Sequence, residues 1–355
     1  MSAQHDLRHM HHALTLAERA LGHVAPNPAV GCMIVSRDGH IVGRGWTQDG
    51  GRPHAEVVAL TQAGHAARGA TAYVTLEPCA HLGQTPPCAE ALAKAGIARV
   101  VASVEDPDPR VKGKGFAMLR GAGIEIVTGV LEKEAAELNA GFFLRIIQNR
   151  PLVTLKIAQS ADGKTARAGN DKWITGEEAR RFGHLLRAKN DAILIGIGTA
   201  LADDPELTCR LPGLEKYSPL RVVLDTHLRL PEAGKIARSA GQVPTIVFTT
   251  SDGGDALRNC GIEVLRIMPN AQGRPDVDAV LNELARRGVT RLLVEGGATV
   301  AAAFHDLADR LEIFMAPLTL GQAGSGAIAL ETPNFLRISR HMLGPDVLES
   351  FARRA

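Results

Sequence analysis

The chain has 355 residues, 45% hydrophobic and 22% charged, which supplies enough apolar material for folded cores and excludes wholesale disorder. At roughly 150 residues per domain this length points to two domains. Forty basic residues against thirty-eight acidic ones leave a net charge of +2, so no polybasic face is forced and nucleic acid is not an expected partner. Aromatic residues make up only 4%, so the cores must be built from Ala, Val, Leu and Ile. Five cysteines in so long a chain suit reduced thiols or metal ligands better than a disulfide framework. The N-terminal segment mixes His with charged side chains, unlike a signal peptide. No run of about 18 apolar residues occurs, so a cytoplasmic protein without a membrane span is expected.

In chain order, helical spacing over 9–20 is followed by strands at 31–35 and 40–43 joined by a turn at 37–39. A helix over 55–67 leads to a β-branched apolar run at 71–76, which reads as a central strand. Then come a helix at 89–96, a strand at 99–103, a helix at 115–122 and a strand at 124–127, an alternation that predicts a mainly parallel sheet. Residues 139–151 read as a bridge, and the boundary is placed near 146–151. Beyond it, strands are predicted at 152–158, 192–196, 221–225, 245–249, 263–266 and 291–295. Helices are predicted at 177–189, 277–287 and 300–307, with late strands at 311–316 and 337–343.

The strongest chemical signal is His54-Ala-Glu56 followed by Pro78-Cys79 and Cys88. His54 and Glu56 stand at the entry of one predicted helix, Cys79 directly after the central strand, and Cys88 at the opening of the next helix. An imidazole and two thiolates can converge there on one tetrahedral Zn²⁺ and leave a fourth position for water. Helix N-termini favour the anionic thiolates. Zinc lowers the pKa of a bound water to about 7, which makes hydroxide available at neutral pH. Glu56, close to a ligand but not one itself, would carry the proton from that water to the leaving amine. The pattern is that of zinc deaminases, except that they space the two cysteines by two residues where this chain places eight. A closed structural site would need a fourth protein ligand, for which His81 is the nearest candidate. Such a site would leave Glu56 idle, so the catalytic reading is preferred, with His81 lining the pocket.

Four segments, Pro26-Asn-Pro-Ala-Val-Gly-Cys32, Pro53-His-Ala-Glu56, Thr75-Leu-Glu-Pro-Cys-Ala-His81 and Gly83-Gln-Thr-Pro-Pro-Cys88, closely resemble the deaminase half of the RibD family of bifunctional riboflavin-biosynthesis enzymes. The eight-residue gap belongs to that family. The resemblance implies a cytidine-deaminase-like fold, zinc on His54, Cys79 and Cys88, Glu56 as the catalytic residue, and Asn27 and His81 at the substrate. Two positions depart from the family pattern. Gln84 stands where a Lys or Arg is proposed to meet the substrate phosphate, and Asp108 replaces an Asn in the loop Glu105-Asp-Pro-Asp-Pro109. Arg110, Lys112 or Lys114 are candidates to compensate.

The second half carries no G-x-G-x-x-G after an early predicted strand, which leaves a Rossmann reading weak. In Leu292-Leu-Val-Glu-Gly-Gly-Ala-Thr-Val300 a strand ends in Glu295 and two glycines open a helix whose free N–H groups suit a phosphate, or else serve as a purely structural turn. Together with Leu155-Lys-Ile-Ala-Gln-Ser-Ala-Asp-Gly163, Trp173-Ile-Thr175, Leu201-Ala-Asp-Asp-Pro205 and Val223-Leu-Asp225, this segment resembles the reductase half of the same family. That half is dihydrofolate-reductase-like. The resemblance places Ala158, Trp173, Thr199, Asp203, Thr226, Gly297, Ala298, Thr299, Val300, Ala301, Ala302 and Ala303 at NADPH. It places Asp171, Arg187, Leu207, Arg210 and Glu295 at the substrate. Arg187 and Arg210 suit a clamp on a ribose phosphate. Lys156 stands either toward the sugar or exposed on an edge strand.

The expectation is therefore an α/β chain with a zinc-dependent pyrimidine deaminase domain over 1–146 and an NADPH-dependent reductase domain over 147–355. It would hold one Zn²⁺ per chain. It would deaminate 2,5-diamino-6-(5-phosphoribosylamino)pyrimidin-4(3H)-one and then reduce the ribosyl group of 5-amino-6-(5-phosphoribosylamino)uracil to ribityl. Small-molecule substrates, no nucleic acid, no membrane and a homo-oligomer complete it. The rivals are a single-activity deaminase of a nucleoside or tRNA with an inert second domain, and a zinc-stabilised RNA-binding module. The latter lacks a basic stripe and aromatic residues for stacking.

Overall fold

The computed structural model describes residues 3–82, 86–167, 173–327 and 333–354. The chain divides into two compact units, Met1–Asn149 and Arg150–Ala355. No helix among the described residues is long and apolar enough to cross a membrane.

In the first unit α1 (Ala3–Ala17) leads to β1 (Gly31–Val35) and β2 (Ile41–Trp46), then α2 (Ala55–Ala63) and β3 (Thr71–Leu76). After these come α3 (Cys88–Lys94), β4 (Arg99–Val104), α4 (Lys114–Gly121), β5 (Glu125–Val127), α5 (Glu132–Leu138) and α6 (Ala140–Gln148). The sheet order is β2-β1-β3-β4-β5. β1 is antiparallel to both its neighbours, and only β3, β4 and β5 run parallel. This corrects the expectation of a mainly parallel sheet. The turn at 37–39 closes a β1–β2 hairpin, and the hairpin enters the sheet beside β3. β3 is buried along its whole length, as its unbroken β-branched run requires.

The packing of α2 on β2 fixes where the helix begins. Ala55, Ala59 and Ala63 recur every four residues and form a small-residue stripe. Opposite them, a side chain at Gly43 would meet the Ala59 carbonyl oxygen at 2.2 Å, and one at Gly45 the Ala55 carbonyl oxygen at 2.1 Å. Backbone therefore touches backbone, and His54 and Glu56 at the helix entry are held in fixed register with the sheet.

The second unit opens with β6 (Leu152–Gln159), β7 (Lys164–Arg167), α7 (Glu177–Ala188), β8 (Ala192–Gly196), α8 (Ile197–Asp203) and β9 (Leu220–Leu224). It continues with α9 (Lys235–Arg238), β10 (Thr245–Thr249), α10 (Asp255–Asn259), β11 (Glu263–Arg266), α11 (Val277–Arg286), β12 (Arg291–Val294) and α12 (Ala298–His305). It ends with β13 (Arg310–Met315), β14 (Gly324–Ala327), β15 (Phe335–Leu343) and β16 (Asp346–Arg353). Nine strands form one sheet in the order β11-β10-β9-β8-β12-β6-β13-β16-β15. The pairs from β11 through β13 are parallel, and β16 is antiparallel to β13 and β15. One apolar cluster joins Leu155, Leu194 and Val294 to Val280, Leu284, Ala301 and Phe304 of α11 and α12. A second joins Ile193, Ile195 and Val247 to Ile236 of α9 and Leu257 of α10. The sheet is thus covered on both faces, which is why its central strands read as continuous apolar runs.

Candidate active sites on the two units

On the first unit the α2 entry, the segment after β3 and the start of α3 bring three donors together. The ligand atoms of His54, Cys79 and Cys88 all lie within 4.8 Å of one another. His54 Nδ1 is 3.3 Å from Cys88 Sγ and 3.7 Å from Cys79 Sγ. The Cys88 backbone N–H donates to Cys79 Sγ at 3.3 Å. Hydrogen bonding with Cys88, and after it with His54, holds the Cys79 thiol down to about 4 in spite of burial. One imidazole and two sulfurs at this spacing, one of them readily a thiolate, fit a tetrahedral metal with one position open. His81 does not belong to this group of donors, although it lines the same cavity. Glu56 is 4% exposed and lines that cavity too, and burial, then the charge of Cys79, pushes its carboxyl up.

The cavity encloses about 300 Å³. Asn27 lines it and lies across the glycines before α2, where a side chain at Gly51 would come within 1.9 Å of Asn27 Nδ2. Gly51 also has a φ of +84°, so glycine both turns the chain and makes room for Asn27. Gln84 lies outside the described residues.

Several lining residues carry chemistry that the sequence reading passed over. Glu77, 3% exposed, accepts from the backbone N–H groups of Asp106 at 3.3 Å, Gly113 at 2.9 Å, Gly115 at 2.9 Å and Phe116 at 3.2 Å. It ties the 106–116 loop to the end of β3, two residues before Cys79. The Asp108 N–H donates to Asp106 Oδ1 at 2.8 Å. Asp108 in turn accepts from Arg110 Nε at 3.0 Å and Arg110 Nη2 at 2.5 Å. Lys114 donates to the Pro109 carbonyl at 2.9 Å. Arg52, Arg110 and Arg145 all line the cavity. The sequence carried a signal for Glu77, an acid placed directly before Pro-Cys at the end of an apolar strand. It carried little for Arg145, on a helix that read as a bridge.

On the second unit four of the expected residues stand at the carboxyl ends of the parallel strands, where open α/β sheets bind ligands. Ala158 stands near the end of β6, Thr199 in α8 just after β8, Thr226 just past β9, and Glu295 just past β12. The Gly297 N–H donates to Thr199 Oγ1 at 3.3 Å, joining the two turns. The Thr226 carbonyl accepts from the hydroxyls of Thr249 at 3.1 Å and Ser251 at 2.7 Å. α12 begins at Ala298, two residues before the predicted start. Gly297, Ala298, Thr299, Ala302 and Ala303 are exposed and Val300 is half-buried. Asp203 is exposed, and the exposed Trp173 ring lies under Arg180 at 5.0 Å. Ala301 is fully buried in the core, and Leu207, 2% exposed, packs in the other cluster, so neither side chain reaches an open surface. Leu207 also takes a φ of +59°, unusual for a residue other than glycine. Asp171 lies outside the described residues.

Arg187 and Glu295 meet each other. Arg187 Nε and Nη2 donate to the two Glu295 oxygens at 2.9 and 3.0 Å, and Lys156 Nζ stands 3.7 Å from Glu295 Oε2. Burial works against the Glu295 charge, but Arg187 and then Lys156 hold its carboxyl down to about 2. Lys156 is therefore turned to Glu295, and its ammonium also sits 5.5 Å from the Phe314 ring. Arg210 pairs with Glu206, four residues earlier in the chain, at 3.0 Å. The two arginines of the expected clamp are thus each engaged by a different carboxylate.

A three-donor metal cluster with a buried carboxylate on one unit, and a parallel-strand edge with a glycine turn on the other, define a two-domain deaminase–reductase. Residues 3–104 match the cytidine and deoxycytidylate deaminase zinc-binding region, and residues 151–342 match the RibD C-terminal domain. The riboflavin biosynthesis protein RibD of Aquifex aeolicus is 44% identical over 89% of this chain and 88% of its own. A structure of Acinetobacter baumannii RibD superposes with a TM-score of 0.88 at 38% identity, covering all of both chains. So does a diaminohydroxyphosphoribosylaminopyrimidine deaminase/5-amino-6-(5-phosphoribosylamino)uracil reductase from Thermotoga maritima, with a TM-score of 0.88 at 33% identity and full coverage. The chain belongs to the RibD family of bifunctional riboflavin-biosynthesis enzymes.

Proposed function

We propose that the first unit hydrolytically deaminates 2,5-diamino-6-(5-phosphoribosylamino)pyrimidin-4(3H)-one. The second unit then reduces the ribosyl group of the product, 5-amino-6-(5-phosphoribosylamino)uracil, to ribityl with NADPH. The observation that carries the reading is the convergence of His54, Cys79 and Cys88 beside the buried Glu56, on a chain whose other half matches the RibD reductase family.

His54, Cys79 and Cys88 would hold one zinc per chain. When bound, zinc supplies the Lewis acidity that makes hydroxide available from water near neutral pH. Glu56 takes the proton of the attacking water and returns it to the departing amine, so that ammonia leaves as a neutral molecule. Burial, which favours its protonated form, suits the second half of that task. Asn27 and His81 orient the pyrimidine in the cavity.

In the reductase half NADPH supplies the hydride. The residues expected at the cofactor are Ala158, Trp173, Thr199, Asp203, Thr226 and the turn from Gly297 to Ala303. For Leu207 at the substrate and Ala301 at the cofactor the contact would be through backbone, since both side chains are core. Glu295 and Arg187 form a fixed polar wall at the strand ends. The acceptor carbon is C1′ of the ribosylamine once the sugar ring opens.

The test is Glu56→Gln. The amide keeps shape and zinc but cannot carry a proton, so ammonia release should fall by roughly 10²–10⁴-fold. Reduction of separately supplied deaminated product should survive. Ammonia release at near the unsubstituted rate would remove Glu56 from the role given to it.

A further inference from the structure

The deaminase cavity has to accept a phosphorylated sugar as well as a pyrimidine, and Gln84 is not the cation that the family resemblance leads one to expect there. Three guanidinium groups line the cavity, those of Arg52, Arg110 and Arg145. Arg52 stands two residues before the ligand His54, and its charge acts on that imidazole. The other two come from separate elements and lie close enough for their charges to interact: burial, then the charge of Arg110, depresses Arg145, while Asp108 favours its charge.

Each of the two is aimed by its surroundings. Arg110 is gripped through Nε and Nη2 by Asp108, whose N–H is bound by Asp106, whose own N–H is bound by Glu77. This relay of carboxylates runs back to the end of β3, two residues before Cys79, so the Arg110 guanidinium is carried at a set distance from the metal donors. Arg145 lies on α6 three residues after Phe142. That spacing puts both on one helix face, and both line the cavity, with Phe142 8% exposed. Asp108 favours the charge of both cations. Two guanidinium groups that line one cavity offer it N–H donors of the kind that a phosphate dianion accepts from.

We infer that Arg145 and Arg110 form the phosphate subsite of the deaminase cavity, selecting a phosphoribosylated pyrimidine over its dephosphorylated form. α6 is then part of the active site rather than a bridge. The inference rests on the deaminase reading given above, because only that reaction puts a phosphoribosyl group in this cavity.

The test uses the full zinc-loaded chain and two substrates, the phosphoribosylaminopyrimidine and its dephosphorylated form. Arg145→Gln should raise KM for the phosphorylated substrate at least tenfold and change kcat by less than about threefold. Turnover of the dephosphorylated substrate should be unaltered, and Arg145→Lys should recover part of the loss. Ribose 5-phosphate should inhibit the unsubstituted deaminase competitively and the Arg145→Gln variant at least tenfold more weakly. Zinc content and reduction of deaminated product, measured on each variant, report whether it has folded. An unchanged KM for the phosphorylated substrate, or equal losses on both substrates in a folded variant, would overturn the subsite. If the unsubstituted chain itself released no ammonia from the phosphorylated substrate, the deaminase reading would fail instead.

Discussion

At the scale of single residues the first unit spends buried charge on position. Glu77 is not one of the metal donors, yet its four backbone hydrogen bonds decide where the 106–116 loop runs. Asp106 is the residue that pays electrostatically. It is 5% exposed, and burial pushes its carboxyl up to about 7. In an unfolded chain an aspartate titrates near 3.9, at roughly the usual value. The folded protein thus binds this proton more tightly than the unfolded chain does, so the contribution of Asp106 to stability falls as pH rises from about 4 to about 7. Asp106→Asn removes that fall and keeps an oxygen for the Asp108 N–H. Denaturant unfolding of the zinc-loaded chain should show the variant gaining on the parent between pH 5 and pH 8. A difference that stays constant across that range would mean that Asp106 is ionised throughout in the folded protein.

At the scale of elements, legibility followed how local the cause was. β3, β8 and β12 were evident because burial on both faces demands largely apolar runs. His54, Glu56, Cys79 and Cys88 were evident because their residue types have few other uses at such spacing. β16 was not evident, because two of its inward positions are polar. Asp346 accepts from the Gly176 N–H at 2.6 Å, and the Ser350 hydroxyl donates to Glu312 at 2.6 Å, so the alternation of a half-buried strand is hidden. β7 and β14 are short and, among the described residues, pair with each other across a long stretch of sequence, which leaves no local pattern to find. The Arg187–Glu295 pair was likewise illegible as a pair, since 108 residues separate the partners. The β12–α12 turn is legible in more detail once its geometry is known. A side chain at Gly296 would stand 2.4 Å from Val300 Cβ, so Gly296 serves packing. Gly297 has an ordinary extended backbone, φ −70° and ψ −178°, and a side chain there would meet only Thr199 Oγ1 at 3.6 Å. Gly297→Val should therefore fold, and its side chain would stand where the proposed function has the cofactor phosphates approach the helix. NADPH titration by fluorescence should show at least tenfold weaker binding, a cost of about 1.4 kcal/mol or more, with ammonia release unchanged. Unaltered NADPH affinity in a folded variant would move the cofactor away from this turn.

At the scale of the whole molecule the central claim is that one chain carries two chemistries on two separately built units. Each unit has its own sheet and its own core. The metal donors all lie in the first, and the strand-end residues expected at NADPH all lie in the second. Loss of the metal should therefore divide the activities. The most direct measurement is zinc content together with both half-reactions on the purified chain, before and after treatment with a chelator. The native chain should carry about one zinc, release ammonia from the diaminopyrimidine, and oxidise NADPH when given the deaminated product. After zinc removal, ammonia release should vanish and NADPH oxidation on the deaminated product should continue. Ammonia release that persists without zinc, or a native, zinc-loaded chain that oxidises no NADPH with that product, would contradict the account.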